Sequence, residues 1–147
     1  MDSSVFSGYG MKSSGMLHIS AKEAYVLSQK DITIVDLRPE HEVAHKSFDV
    51  PQLIRCPYLL IENLPILLPQ DKPLIIADAV GIHSKEAMLF LFEKGYTNIA
   101  NLAGGFVDWE REGFPIRTNS KEALSGPCLC MLKPMRKTRK QTLNNTI

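Results

Sequence analysis

The sequence predicts an α/β fold, a single domain with a central parallel sheet flanked by helices on both faces. Short apolar runs such as Ile32-Thr33-Ile34-Val35 and Leu74-Ile75-Ile76-Ala77 have the length and branching of strands buried on both sides. Helical patterns separate these runs, as the crossovers of a parallel sheet require. With 147 residues, 44% of them hydrophobic, the chain can form one core and little more.

Met1 through Gly15 is rich in serine and glycine and is expected to be a flexible N-terminal segment. Leu17-His18-Ile19 is a short strand. Ser20-Ala21-Lys22-Glu23 has the form of a capping box, and Ala24, Val26 and Leu27 supply the apolar face of the helix it opens. Ile32 to Leu37 is a second strand, and Pro39 opens a helical segment over residues 40–46. Residues 50–60 read as irregular, with a short strand near 52–55, and a helical piece follows near 58–63. Pro65, Pro69 and Pro73 break the chain before the Leu74 strand. A helix over 85–94 carries Ala87 and Leu89 to Phe92 at helical spacing, with Ser84 as N-cap and Gly95 as C-cap. Asn98 to Leu102 is another strand. Gly104-Gly105 turns into a helix over 106–112, capped by Gly113 and stopped by Pro115. Periodicity ends near Thr118.

The candidate site is Asp78-Ala79-Val80-Gly81-Ile82-His83-Ser84. A strand that turns into a helix over so few residues leaves backbone N–H groups converging at a helix N-terminus. That arrangement cradles anions. Asp78 stands at its mouth, outside the carboxyl end of a strand, where open α/β sheets place their sites. Its carboxylate is expected to accept the loop's own amides and fill the cradle. A nucleophilic aspartate is the alternative, but Asp78-Ala79-Val80 lacks the second acid two residues on that one aspartyl-phosphate family uses. Asp36, near another strand end, reads either as a partner for Asp78 or as a local turn cap. His83 reads as an ion partner of Asp78 or as a solvent-facing first-turn residue.

Net charge is +1, so no strongly acidic or basic partner is implied for the chain as a whole. Beyond Ala123 there is no acid, while Lys133, Arg136, Lys137, Arg139 and Lys140 cluster, making this stretch the candidate contact for an unknown protein partner. It lacks interleaved aromatics, so nucleic acid is not the expected ligand. Three cysteines, an odd number, argue against a disulfide scaffold and for a reducing, cytoplasmic setting. No apolar run is long enough for a membrane span, and no signal peptide is evident.

Cys128-Leu129-Cys130 places two thiols one residue apart. They read as a soft-metal, redox or sulfur-carrying pair, or as incidental reduced cysteines. Cys56 reads as a buried apolar residue. His41-Glu42-Val43-Ala44-His45 matches the zinc-protease pattern His-Glu-x-x-His. Its helix is short and no third ligand follows at a recognisable spacing, so no metal site is assigned. No cofactor is expected. Phe106 and Trp109 read as core residues.

Four pieces together resemble the rhodanese-like domain family: Ile19-Ser20-Ala21-Lys22-Glu23-Ala24; Val35-Asp36-Leu37-Arg38-Pro39-Glu40-His41-Glu42; the loop from Asp78; and Asn101-Leu102-Ala103-Gly104-Gly105-Phe106-Val107-Asp108-Trp109 with Gly113 and Pro115. The resemblance implies a parallel sheet between helices and a domain over residues 16–118. A flexible segment at 1–15 would precede it, and a basic tail at 119–147 carrying the Cys-x-Cys would follow. In this family many members move sulfur from donors such as thiosulfate through a persulfide on a cysteine that begins the loop. The loop length here is similar to that sulfur-transferring branch. The resemblance puts Asp78 in the place of the cysteine and His83 where an arginine is common. Lys46-Ser47-Phe48-Asp49-Val50-Pro51 also departs from the usual Gly-His-Ile-x-Gly-Ala. The expectation is a rhodanese-like module without its catalytic cysteine, used for binding or regulation. The alternatives are a sulfurtransferase-like carrier using Cys128, Cys130 or Cys56, and soft-metal or redox sensing by Cys128 and Cys130.

Overall fold

A computed structural model of the chain describes residues 5–119. They include a six-stranded sheet. Its strands are β1 (Met11–Ser13), β2 (Met16–Ile19), β3 (Thr33–Asp36), β5 (Leu53–Arg55), β6 (Leu74–Ala77) and β7 (Ile99–Leu102), in the order β1-β2-β7-β6-β3-β5. β1 is antiparallel to β2, and every other pair is parallel. The expected α/β class with a parallel sheet is therefore observed.

The alternation of side chains along β6 explains the layers. Ile75 and Ala77 join one core with Ala24 and Leu27 of α1 (Ala21–Ser28) and Phe106 and Trp109 of α5 (Gly105–Arg111). Leu74 and Ile76 face the other way. They pack with Ala87, Met88 and Leu91 of α4 (His83–Glu93) and with Leu64 of α3 (Leu64–Leu67). A strand buried on both faces must be apolar throughout, and all four residues of β6 are buried.

Several sequence expectations are corrected here. Residues 5–15 are not a loose segment: Phe6 is buried, β1 pairs with β2, and the Gly10 amide donates to Glu23 Oε2 at 2.8 Å. Gly10 has φ +68°, and a Cβ there would lie 2.5 Å from the His18 carbonyl oxygen, so the hairpin closes only on glycine. The apolar face of α1 uses Ala21 with Ala24 and Leu27, while Val26 points out. Ser84 does not cap α4. The helix starts at His83, and Ser84 is buried against the sheet. The capping box at Ser20 and Glu23 forms as expected, and a 3₁₀ segment occupies Tyr58–Asn63.

Among the described residues, His41–Ser47 group with residues 117–119 as a second compact unit. There α2 (Glu40–His45) leads into β4 (Lys46–Phe48), which pairs with β8 (Ile116–Thr118) in a separate two-stranded sheet. The Asn119 amide donates to the His45 carbonyl at 3.0 Å. His41 and His45 are exposed, and among the described residues no group of three or more potential ligands could hold a metal ion. No helix among the described residues is long and apolar enough to cross a membrane.

The capping box carries a pH signature. Backbone amides of Ser20 and Gly10 hold the Glu23 carboxyl below its ordinary value of 4.5. A depressed carboxylate contributes stability that is present above the unfolded value and lost as pH falls through the folded one. Urea denaturation should show wild type more stable than Glu23→Gln at pH 7, with the difference shrinking on acidification below about pH 4.5. An advantage that persists unchanged into acid would refute the assignment.

Candidate functional site

The site lies where β6 ends. β3 and β6 run in register, Asp36 beside Ala77, so both strands deliver their next residues to one edge of the sheet. Asp78 follows directly and is buried (4% exposed). Its Oδ1 accepts the Gly81 amide, and its Oδ2 accepts the His83 amide at 2.7 Å. Amide hydrogens on an ionised carboxylate are charge-assisted and short. The side chain thus spans the loop it begins, from the strand end to the first residue of α4.

The outer side of the loop is closed by the Gly104-Gly105 turn. The Phe106 amide donates to the Asp78 carbonyl at 2.8 Å, and the Val107 amide donates to the Ala79 carbonyl at 3.0 Å. The first turn of α5, whose N–H groups have no partners within the helix, is therefore satisfied by the loop. A Cβ on Gly105, at φ +61°, would sit 2.5 Å from backbone atoms of Asp78 and Ala79. Gly81 (φ +92°) lets the loop turn against the Gly104 amide.

Beside the loop, Asp36 and Arg38 form a buried ion pair. Arg38 Nη2 is 2.9 Å from Asp36 Oδ2, and Nε and the Arg38 amide reach Oδ1 at 3.0 and 3.1 Å. Asp36 is thereby a local cap and ion partner of Arg38, the structural alternative of its two readings. The guanidinium stands 3.9 Å from the centre of the Phe106 ring, in cation–π geometry.

His83 is more than half exposed, with Nδ1 4.0 Å from Asp78 Oδ2. Tyr58, which sequence reasoning passed over, stacks on the His83 ring at 4.4 Å between centroids. Its hydroxyl donates to Glu86 of α4, and that bond raises the phenol's pKa above its usual value. Nothing local in Tyr58-Leu59-Leu60 announces this role, because it depends on how the 3₁₀ segment meets α4. Val80 and Ile82 are half exposed or more, and Ser84 turns inward to Asn101.

Cys56 is buried, with Sγ 3.4 Å from the Leu60 carbonyl oxygen. Burial pushes its thiol pKa up. Cys128 and Cys130 lie outside the described residues.

With this geometry in place, comparison with known proteins is direct. Residues 20–112 match the rhodanese-like domain family, and the chain belongs to it. It is 32% identical over 87 residues to a sulfurtransferase of Allochromatium vinosum, covering 59% of this chain and 79% of that one. It is 30% identical over 101 residues to the thiosulfate sulfurtransferase GlpE of Haemophilus influenzae, covering 68% and 93%. Among solved structures, a rhodanese-related protein from Thermoplasma volcanium matches with TM-score 0.60 and 28% identity, over 68% of this chain and 96% of that one. A rhodanese-like domain protein from Staphylococcus aureus matches with TM-score 0.59 and 25% identity, over 70% and 100%.

Two outcomes test this architecture. Gly105→Ala should cost about 2–4 kcal/mol in urea denaturation, because the new methyl meets backbone and the positive φ is strained; a neutral effect would mean that α5 does not approach the loop this closely. Iodoacetamide labelling followed by peptide mapping should leave Cys56 unmodified in native protein and modify it in denaturant. Native labelling at the rate of a free thiol would contradict its burial.

Proposed function

We propose that this chain is a rhodanese-like binding or regulatory module whose loop performs no sulfur transfer. The observation that carries the reading is the buried Asp78 carboxylate, which accepts the Gly81 and His83 amides of its own loop. Sulfur transfer needs a soft thiolate that attacks the sulfane sulfur of a donor and holds it as a persulfide. A carboxylate cannot form that bond. Asp78, in the position the family resemblance gives to the cysteine, instead occupies two amides with negative charge already in place. Cys56 does not substitute for it, because a buried thiol with a raised pKa is a poor nucleophile. The exposed side chains of Val80, Ile82 and His83 around the filled loop suit contact with a partner, and the basic stretch from Lys133 is a second candidate contact.

A second reading rests on the sulfurtransferase names of the relatives and on Cys128-Leu129-Cys130. There Cys128 or Cys130, and not the loop, carries the sulfur. A third makes the same pair a soft-metal or redox sensor.

Intact mass spectrometry after incubation with thiosulfate separates these readings. Wild type should gain no sulfur. Asp78→Cys should gain one sulfur atom at the loop, the thiolate taking the sulfane sulfur and sulfite leaving. Uptake by wild type that maps to Cys128 or Cys130 would overturn the reading in favour of a displaced carrier. Copper(I) or zinc binding that is lost in a Cys128→Ser, Cys130→Ser double variant would favour the sensor.

A further inference from the structure

Behind the loop runs a buried chain of polar side chains that the proposed function does not use. Ser84, in the first turn of α4, and Asn101, in β7, are both fully buried. His18 of β2 is half-buried and lies directly beside Asn101 in the sheet register. The Ser84 hydroxyl donates to Asn101 Oδ1. Asn101 Nδ2 stands 3.0 Å from His18 Nδ1.

The chemistry gives this chain a direction. An amide NH₂ only donates, so His18 Nδ1 must accept, and the ring is the neutral tautomer with its proton on Nε2. Protonation at Nδ1 would set two donors against each other at a site where an unsatisfied polar group is costly. The chain accommodates the proton by reversing. Asn101 turns its amide so that Oδ1 accepts from the imidazolium and Nδ2 donates to Ser84 Oγ. The Ser84 hydroxyl hydrogen must then leave Asn101. Its new acceptor must lie at the start of α4, beside His83, whose amide the Asp78 carboxylate holds.

We propose that His18, Asn101 and Ser84 form a proton-operated switch that couples strand β2 to the start of α4, and so to the Asp78 loop. The switch stands whether the loop is inert or reactive. Charged groups on the adjoining elements leave His18 as its input. Lys12 of β1 sits opposite Leu17, so its side chain is on the other face of the sheet. Glu23 of α1 is held by the amides of Ser20 and Gly10. On α4, Lys85 is exposed beside Ser84, and Glu86 accepts the Tyr58 hydroxyl.

The test is a pH titration of the full chain by ¹H–¹⁵N NMR, with a His83→Gln variant to remove the other imidazole at the loop. At high pH the His18 ring should show the Nε2-protonated tautomer. The Asn101 side-chain NH₂ and the Ser84 and Gly81 amides should then move with the His18 ring at one shared midpoint, in wild type and in His83→Gln alike. His18→Gln, whose amide keeps a hydrogen-bonding group at the position without titrating, should abolish that shared transition. The switch is overturned if the Ser84 and Gly81 amides ignore the His18 titration, or if their transition survives in His18→Gln. A His18 ring that stays neutral wherever the protein is folded overturns it as well.

Discussion

The backbone polar groups of the loop after β6 are the constraint on which the rest of the site depends. A chain that leaves a buried strand and enters a helix within a few residues exposes amides and carbonyls in a place where water is scarce. Here the deficit is met from two sides. The Asp78 carboxylate takes the Gly81 and His83 amides from within. The first turn of α5 donates its own spare amides to the Asp78 and Ala79 carbonyls from without. Each helix start therefore completes the hydrogen bonding of the same short loop, and neither could do so from further away.

That closeness is supported from the core. Trp109 is fully buried, with its indole nitrogen 2.7 Å from the Pro115 carbonyl oxygen. Phe48 packs edge-on to both Phe106 and Trp109, and the Arg38 guanidinium covers the Phe106 ring. Burying Arg38 and Asp36 has a desolvation cost that their mutual attraction only partly offsets. The pair contributes position more than stability: it ties the end of β3 to the start of α5, and α5 in turn holds the loop. Phe48 and the Asp36–Arg38 pair thus both meet α5, whose first turn meets the loop.

Under the proposed reading, the aspartate at the end of β6 changes the chemistry of the loop while the family's fold is kept. The amides that would stabilise an anionic sulfur species in a thiolate loop stabilise a built-in carboxylate instead. Val80, Ile82 and His83 are left exposed around the loop, with the His83 ring stacked on Tyr58.

Much of this was legible in the sequence because its causes are local or periodic. The uninterrupted apolar character of Leu74 to Ala77 announced a strand buried on both faces, and Ser20 with Glu23 announced a capped helix, since both signals arise within one turn or one strand. Gly104-Gly105 was recognisable as a turn, but the backbone approach that requires Gly105 came only with the fold. Residues 5–15 misled because glycine and serine suggest looseness, whereas Gly10 lets the chain close against β2 where β1 begins. Ser84 misled because a serine near a helix start suits a cap, and only its position over β7 shows that its hydroxyl turns to Asn101. Sequence by itself determined the strands of the parallel sheet, the capped helix, the loop and the aspartate that begins it. Tertiary structure alone decided which side chains meet across elements, as Tyr58 does with His83, Arg38 with Phe106, and His18 with Ser84 through Asn101. Such meetings depend on strand order and helix placement, which no local pattern encodes.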